Sequence, residues 1–262
     1  MQINPLVQYV PTRDGMLCLY SQPEVLFTSS GRPVLILIHG ALRHSIDLFE
    51  WVQLGEPDFD VVFIDLPGHG KSPATPSATV EIFAANVGDA ITCALGNREV
   101  VVVGESLGGL VAIALGTLPL GNIRAIIAAD PPLTMGKLWH IRNAIFNFLA
   151  SSPSNLFLKS FALNIFGVDA DGNAHERNYL PLIEQSHKPI LILTGDVPLF
   201  PVRNVNAVPS LVDEIDRYVI SRFAGDKAKV EIVANCGHLL LIDAQQQCRR
   251  LIAEFFVQAK QA

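Results

Sequence analysis

Charge is scarce in this chain. Only 17% of its 262 residues are charged, and acidic residues outnumber basic ones by 25 to 19, for a formal net charge of −6. No cluster of lysines and arginines offsets that balance, so the electrostatic footprint of a phosphate-backbone binder is missing and nucleic acid is excluded as an expected partner. Cysteine is equally sparse. Cys18, Cys93, Cys236 and Cys248 show neither CxxC spacing nor the density of a disulfide scaffold, which predicts free thiols in a reducing compartment and argues against thiolate-bound zinc. There is no HExxH, and "GHGKS" (68–72) has Asp65 where a phosphate loop needs glycine. The glycines at 104, 108 and 109 do not fit GxGxxG either, so neither a metal nor a nucleotide cofactor is expected. No window reaches the roughly 18 unbroken apolar residues of a membrane span. The stretch "MQINPLVQYVPTRDG" has no basic start or apolar run of a signal peptide, so the expectation is a cytoplasmic protein without stable membrane insertion.

What is present is apolar. Half the residues are hydrophobic and the mean hydropathy is +0.35, the composition of a well-buried globular fold. Residues 6–20 alternate loosely around Asp14-Gly15, suggesting an N-terminal hairpin. Thereafter "PVLILIH" (33–39), "DVVFIDL" (60–66), "EVVVVGE" (99–105), "IRAIIAAD" (123–130), "PILILTGD" (189–196) and "KVEIVAN" (229–235) are apolar runs without polar alternation. Strands of that kind are covered on both faces, as in a parallel sheet. Helix-length segments lie between them, at about 43–55, 77–95, 107–118, 208–224 and 243–260. In the fourth, Leu211, Ile215, Tyr218, Val219 and Phe223 are expected to share the buried face. The order reads as an open, doubly wound, mostly parallel α/β sheet. One interval breaks it: about 55 residues separate Asp130 from Pro189, too many for a crossover, and they include Phe146, Phe148, Phe157, Phe161 and Phe166. A loop that long and apolar predicts a helical cap over 132–187, inserted into a core of 1–131 and 188–262.

The stretch "VVVGESLGGLV" (101–111) stops a buried strand to show a serine. Gly104, Ser106 and Gly108 fit GxSxG at a strand-to-helix junction, where glycines let strand and helix pack around a sharply turned nucleophile. With "ILIHGA", "IDLPGHGKS" and "NCGHLL" in the same order, the sequence resembles the α/β hydrolase superfamily over almost its full length, in its serine-nucleophile, capped form. A serine hydroxyl needs a base, and His238 in "NCGHLL" is the candidate. His39 and His69 fit hydrogen-bonded structural residues. His140, His175 and His187, in the cap, carry no assigned chemistry.

The resemblance implies an orienting carboxylate after the penultimate strand, where "LTGDVPLFP" offers Asp196 directly after Gly195. The alternative acid is Asp130, since some relatives place theirs after the preceding strand; Asp169 and Asp171 are remoter choices. Oxyanion donors are expected from the backbone amides of Ala41 and Leu107. Glu105 is read as a local structural residue. His44, Trp139, Phe146 and Phe161 are expected to line the substrate site.

The resulting expectation is a cofactor-free serine hydrolase, monomeric or homodimeric, that cleaves an ester or thioester of a small to medium apolar acyl group through an acyl-enzyme. Carbon–carbon bond hydrolase, lactonase or hydroxynitrile-lyase chemistry is the alternative, with Arg142 or Arg177 anchoring a substrate carboxylate. A triad-retaining small-molecule receptor with little turnover is another.

Overall fold

The apolar runs become strands. In the computed structural model, which describes residues 5–22, 25, 31–55, 58–200 and 208–260, β1 (Leu6–Thr12) and β2 (Gly15–Ser21) form the expected hairpin. The strands β3 (Val34–Ile38), β4 (Asp60–Ile64), β5 (Val100–Glu105), β6 (Ile123–Ala129), β7 (Ile190–Gly195) and β8 (Ala228–Val233) follow in parallel. The sheet order is β1-β2-β4-β3-β5-β6-β7-β8, so the hairpin adds an antiparallel edge to a parallel core. Every residue of β3, β4, β5 and β7 is buried, which is why their sequences show no alternation. The edge strand β8 is mostly half-exposed.

Two helical layers cover the sheet. Leu35, Leu37, Val101, Val103, Leu191 and Leu193 face α1 (Trp51–Gly55), α8 (Leu240–Asp243) and α9 (Gln245–Ala259), where Trp51 Nε1 donates to Leu241 O at 2.8 Å. The alternate residues of the same strands face α2 (Val80–Leu95) and α3 (Leu107–Leu115). Thr79 caps α2 by accepting from Ile82 N. Each α3 residue is buried, so this helix is apolar all round.

Three more helices fill the interval between β6 and β7: α4 (Trp139–Ala150), α5 (Leu156–Phe166) and α6 (Leu180–Gln185). Their phenylalanines mostly serve packing. Phe161, Phe157 and Phe83 form a mutually stacked trio, and Phe161 also meets His69 and Phe166, with ring centroids 5.3–6.5 Å apart, sealing the insertion to α2.

Several expected helices are shorter or broken. The 43–55 segment is a 3-10 turn at Ser45–Leu48 followed by α1, and the 243–260 segment is divided between α8 and α9. The helix expected over 208–224 is α7 (Glu214–Phe223), because Asp213 and Asp216 form a reciprocal capping box at its start. Its orientation also differs from the expected one. Ile215, Tyr218 and Phe223 are more than 60% exposed, whereas Asp216 and Ile220 are buried. Lys137, from the insertion, pairs with both Asp213 and Asp216, and that anchor turns the helix away from the face its hydrophobic spacing predicts.

Candidate functional site

Ser106 follows β5 with φ 56° and ψ −117°, a left-handed conformation that non-glycine residues adopt only under constraint. The constraint is visible on both sides. Ser106 N donates to Ala129 O at 2.8 Å, and Ser106 O accepts from Leu110 N in the first turn of α3. A Cβ on Gly104 would lie 1.9 Å from Gly108 O, and one on Gly108 would lie 2.4 Å from Ile38 O, so only glycine permits this crossing of strand and helix. The side chain of Ser106 makes no capping bond to α3. It stands at the carboxyl edge of the sheet, where β5 and β6 pair through Glu105 and Ala129.

Asp130 stands at the same edge, one residue after β6, fully buried and with φ 48°. Its Oδ2 lies 2.7 Å from His238 Nδ1. Oδ2 also accepts from Leu211 N at 2.7 Å, and Oδ1 is surrounded by Val212 N at 3.2 Å, Thr194 Oγ1 at 3.4 Å and Ser210 Oγ. A carboxylate so placed accepts, so Nδ1 of His238 carries the proton and Nε2 is left as the basic nitrogen. His238 itself is fixed by donating its amide to Val208 O at 3.0 Å.

The expectation that Asp196 orients His238 does not match this geometry. Asp196 instead accepts from the amides of Asn235 (2.9 Å) and Cys236 (3.1 Å). It braces the turn leading to His238, where Asn235 has φ 58°, without reaching the imidazole. Asp169 is equally remote in role: it binds Asn173 and His175 within the insertion.

The loop after β3 borders Ser106, since a Cβ on Gly40 would lie 3.3 Å from Ser106 Cβ. The amides of Ala41 and Leu107 have no hydrogen-bond partner among the described residues, which leaves both free for a substrate oxygen. Leu107 N also opens α3, whose positive end favours developing negative charge. Buried groups hold this loop in place. Asp65 accepts from Ser45 N and Lys71 N at 2.8 Å each and from Tyr20 OH at 2.7 Å. Burial works to raise its pKa, but these bonds outweigh it and hold it below the ordinary carboxylate range.

His39 donates from Nδ1 to Gly40 O and accepts Leu66 N on Nε2. Burial, then neighbouring His69, pushes its pKa down to about 3; burial lowers that of His69 too. Such histidines stay neutral in the folded chain while protonating in the unfolded one, so stability falls as pH drops below about 6.5, and keeps falling toward their folded values. From pH 7 to pH 5, His39 accounts for a loss of about 2 kcal/mol. Urea denaturation of His39→Gln should show a correspondingly flatter acid dependence; an unchanged slope would contradict the assignment.

The four residues expected to line the substrate site are scattered. His44 is half-buried beside Asp47 at 3.7 Å, and Trp139 is exposed at the start of α4. Phe146 packs on the turn at Gly172, and Phe161 is buried in the aromatic seam. Arg142 and Arg177, expected as carboxylate anchors, are spent on backbone carbonyls of Leu163, Phe166, His175 and Glu176. Sequence reasoning passed over His140. Its Nε2 is buried without a partner among the described residues, and burial, then the neighbouring His238, lowers its pKa.

Residues 35–251 match the sequence model described as the Alpha/beta hydrolase family. Two curated relatives are pimeloyl-(acyl-carrier protein) methyl ester esterases. That of Xanthomonas campestris is 36% identical over 110 residues, 41% of each chain, and that of Xanthomonas oryzae is 29% identical over 159 residues, 59% of this chain and 60% of its own. The matched stretches thus span about half the length of these relatives. Among solved structures, naproxen esterase from Bacillus subtilis superposes with a TM-score of 0.67 at 20% identity, over 97% of this chain and 92% of its own.

Proposed function

The chain belongs to the alpha/beta hydrolase family, and from that premise we propose that it is a serine hydrolase acting on carboxylic esters or thioesters of small to medium apolar acyl groups. Ser106 is the nucleophile, His238 the base and Asp130 the orienting acid. The single observation that carries this reading is the 2.7 Å bond from His238 Nδ1 to the buried Asp130 carboxylate, beside a serine held in a strained elbow at the same sheet edge.

In the proposed reaction, His238 Nε2 takes the Ser106 proton as Oγ attacks the acyl carbonyl. The amides of Leu107 and Ala41 hold the resulting oxyanion, and Asp130 stabilises the imidazolium. The imidazolium then protonates the leaving alcohol or thiol, and the acyl-enzyme is hydrolysed by a water that His238 deprotonates. Residues 132–187 form the cap over this edge, and Cys18, Cys236 and Cys248, all free and buried, fit a reducing cytoplasm.

The two Xanthomonas relatives, named for a methyl ester, favour an ester, while a Citrobacter koseri relative 41% identical over 97 residues is named as a 2-succinyl-6-hydroxy-2,4-cyclohexadiene-1-carboxylate synthase. The engagement of Arg142 and Arg177 removes the cap's two proposed carboxylate anchors. The test is a panel of methyl esters of straight-chain acids, each with its thioester counterpart and a vinylogous diketone acid for comparison. At least one ester or thioester should turn over with kcat/KM above about 10⁴ M⁻¹ s⁻¹. Turnover of the diketone acid alone, or single-event binding without turnover, would refute the esterase reading.

A further inference from the structure

Glu105 is fully buried at the end of β5, one residue before Ser106. A carboxyl group there is costly unless its charge and lone pairs are met. Glu105 Oε1 lies 2.5 Å from Arg43 Nη1, and Oε2 accepts the amide of Leu241 at 3.2 Å. Arg43 belongs to the loop that carries Ala41, and Leu241 lies three residues beyond His238. One side chain therefore joins the loop after β3 to the segment after β8, from a backbone position adjoining the serine.

We propose that Glu105 is a positioning residue: paired with Arg43, it clasps the oxyanion loop and the base-bearing segment to the elbow, keeping donor, base and nucleophile in register. This rests on the serine-hydrolase reading of the same site. The backbone of the loop supports it. Leu42, between Ala41 and Arg43, has φ 58°, a strained conformation that persists only where the surroundings over-determine it. Arg43 supplies one restraint on its C-terminal side, bonding Glu105 and, through Nε, Asp47 at 3.1 Å; the Ser45 amide on Asp65 supplies another. Glutamine at 105 could still accept from Leu241, but its amide would no longer balance the guanidinium.

The test measures the rate at which a fluorophosphonate labels Ser106. In that step the Oγ–P bond forms, the P–F bond breaks, fluoride leaves and the serine proton passes to His238, so the rate reports the assembled site without any knowledge of the natural substrate. Glu105→Gln and Arg43→Met should each slow labelling by about 10- to 100-fold, and lower kcat on the best ester similarly with KM within about threefold. The double variant should fall within about threefold of the slower single one, because both changes open the same clasp. Arg43 is partly exposed, so Arg43→Met keeps the test open if Glu105→Gln does not fold. Labelling of both single variants at the parent rate, or single effects that multiply in the double variant, would overturn the clasp. Failure of the parent protein to label would instead overturn the serine-hydrolase reading itself.

Discussion

Asp130→Asn should lower kcat for ester hydrolysis by about four orders of magnitude, while Asp196→Asn should stay within about tenfold of the parent. The difference lies in what each carboxylate faces. Around Asp130, Leu211 N, Val212 N and the Ser210 and Thr194 hydroxyls all direct hydrogens at the group. An asparagine there keeps its oxygen toward Ser210, Val212 and Thr194, and its NH2 replaces Oδ2, facing both His238 and the Leu211 amide. Nδ1 must then accept, the imidazole proton moves to Nε2, and Nε2 can no longer take the serine proton in the proposed reaction. Asp196 has no such hold on the ring. Its replacement weakens one of two bonds to the turn at Asn235 and Cys236, a turn also tied by Val197 N to Cys236 O and His238 N to Val208 O. Steady-state kcat on the best ester, with thermal melts to confirm folding, decides the matter. A collapse of activity in Asp196→Asn with Asp130→Asn near normal would reverse the assignment of the acid.

That outcome also marks where the sequence stops being informative. Strand order and the elbow are legible because each has a local cause: buried parallel strands are continuous apolar runs, and GxSxG needs glycine where backbones cross. The choice between Asp130 and Asp196 has no local cause. Both end an apolar strand at the same sheet edge, and what separates them is the packing of the 208–212 segment against Asp130, some eighty residues away in sequence. The Glu105–Arg43 pair is hidden for the same reason, spanning 62 positions. On α7, a local rule misleads: hydrophobic spacing chooses one face, and the ion pairs of Lys137 impose another. The phenylalanines of the insertion are legible as apolar but not as seam, because their partners, Phe83 and His69, lie in the core.

Ser106→Gly should abolish hydrolysis, a fall in kcat of about six orders of magnitude, and should leave the protein more stable than Ser106→Ala by about 1 kcal/mol. Both variants lack the proposed nucleophile, so both should lose the reaction. Their stabilities part because of the backbone. At φ 56° and ψ −117° a Cβ is strained and its absence is not, so glycine releases strain that alanine retains. Part of that gain is returned through the larger conformational entropy of an unfolded chain with an extra glycine. No capping bond is lost in either case, because the Ser106 side chain gives none to α3. Urea denaturation of the two variants at neutral pH reads the difference directly. A Ser106→Gly midpoint at or below that of Ser106→Ala would mean that the elbow stores no strain at this residue, and the turn would then be held by the contacts of Gly104 and Gly108 alone. The expected order makes the serine a place where folding free energy is given up so that a hydroxyl can stand clear of the sheet.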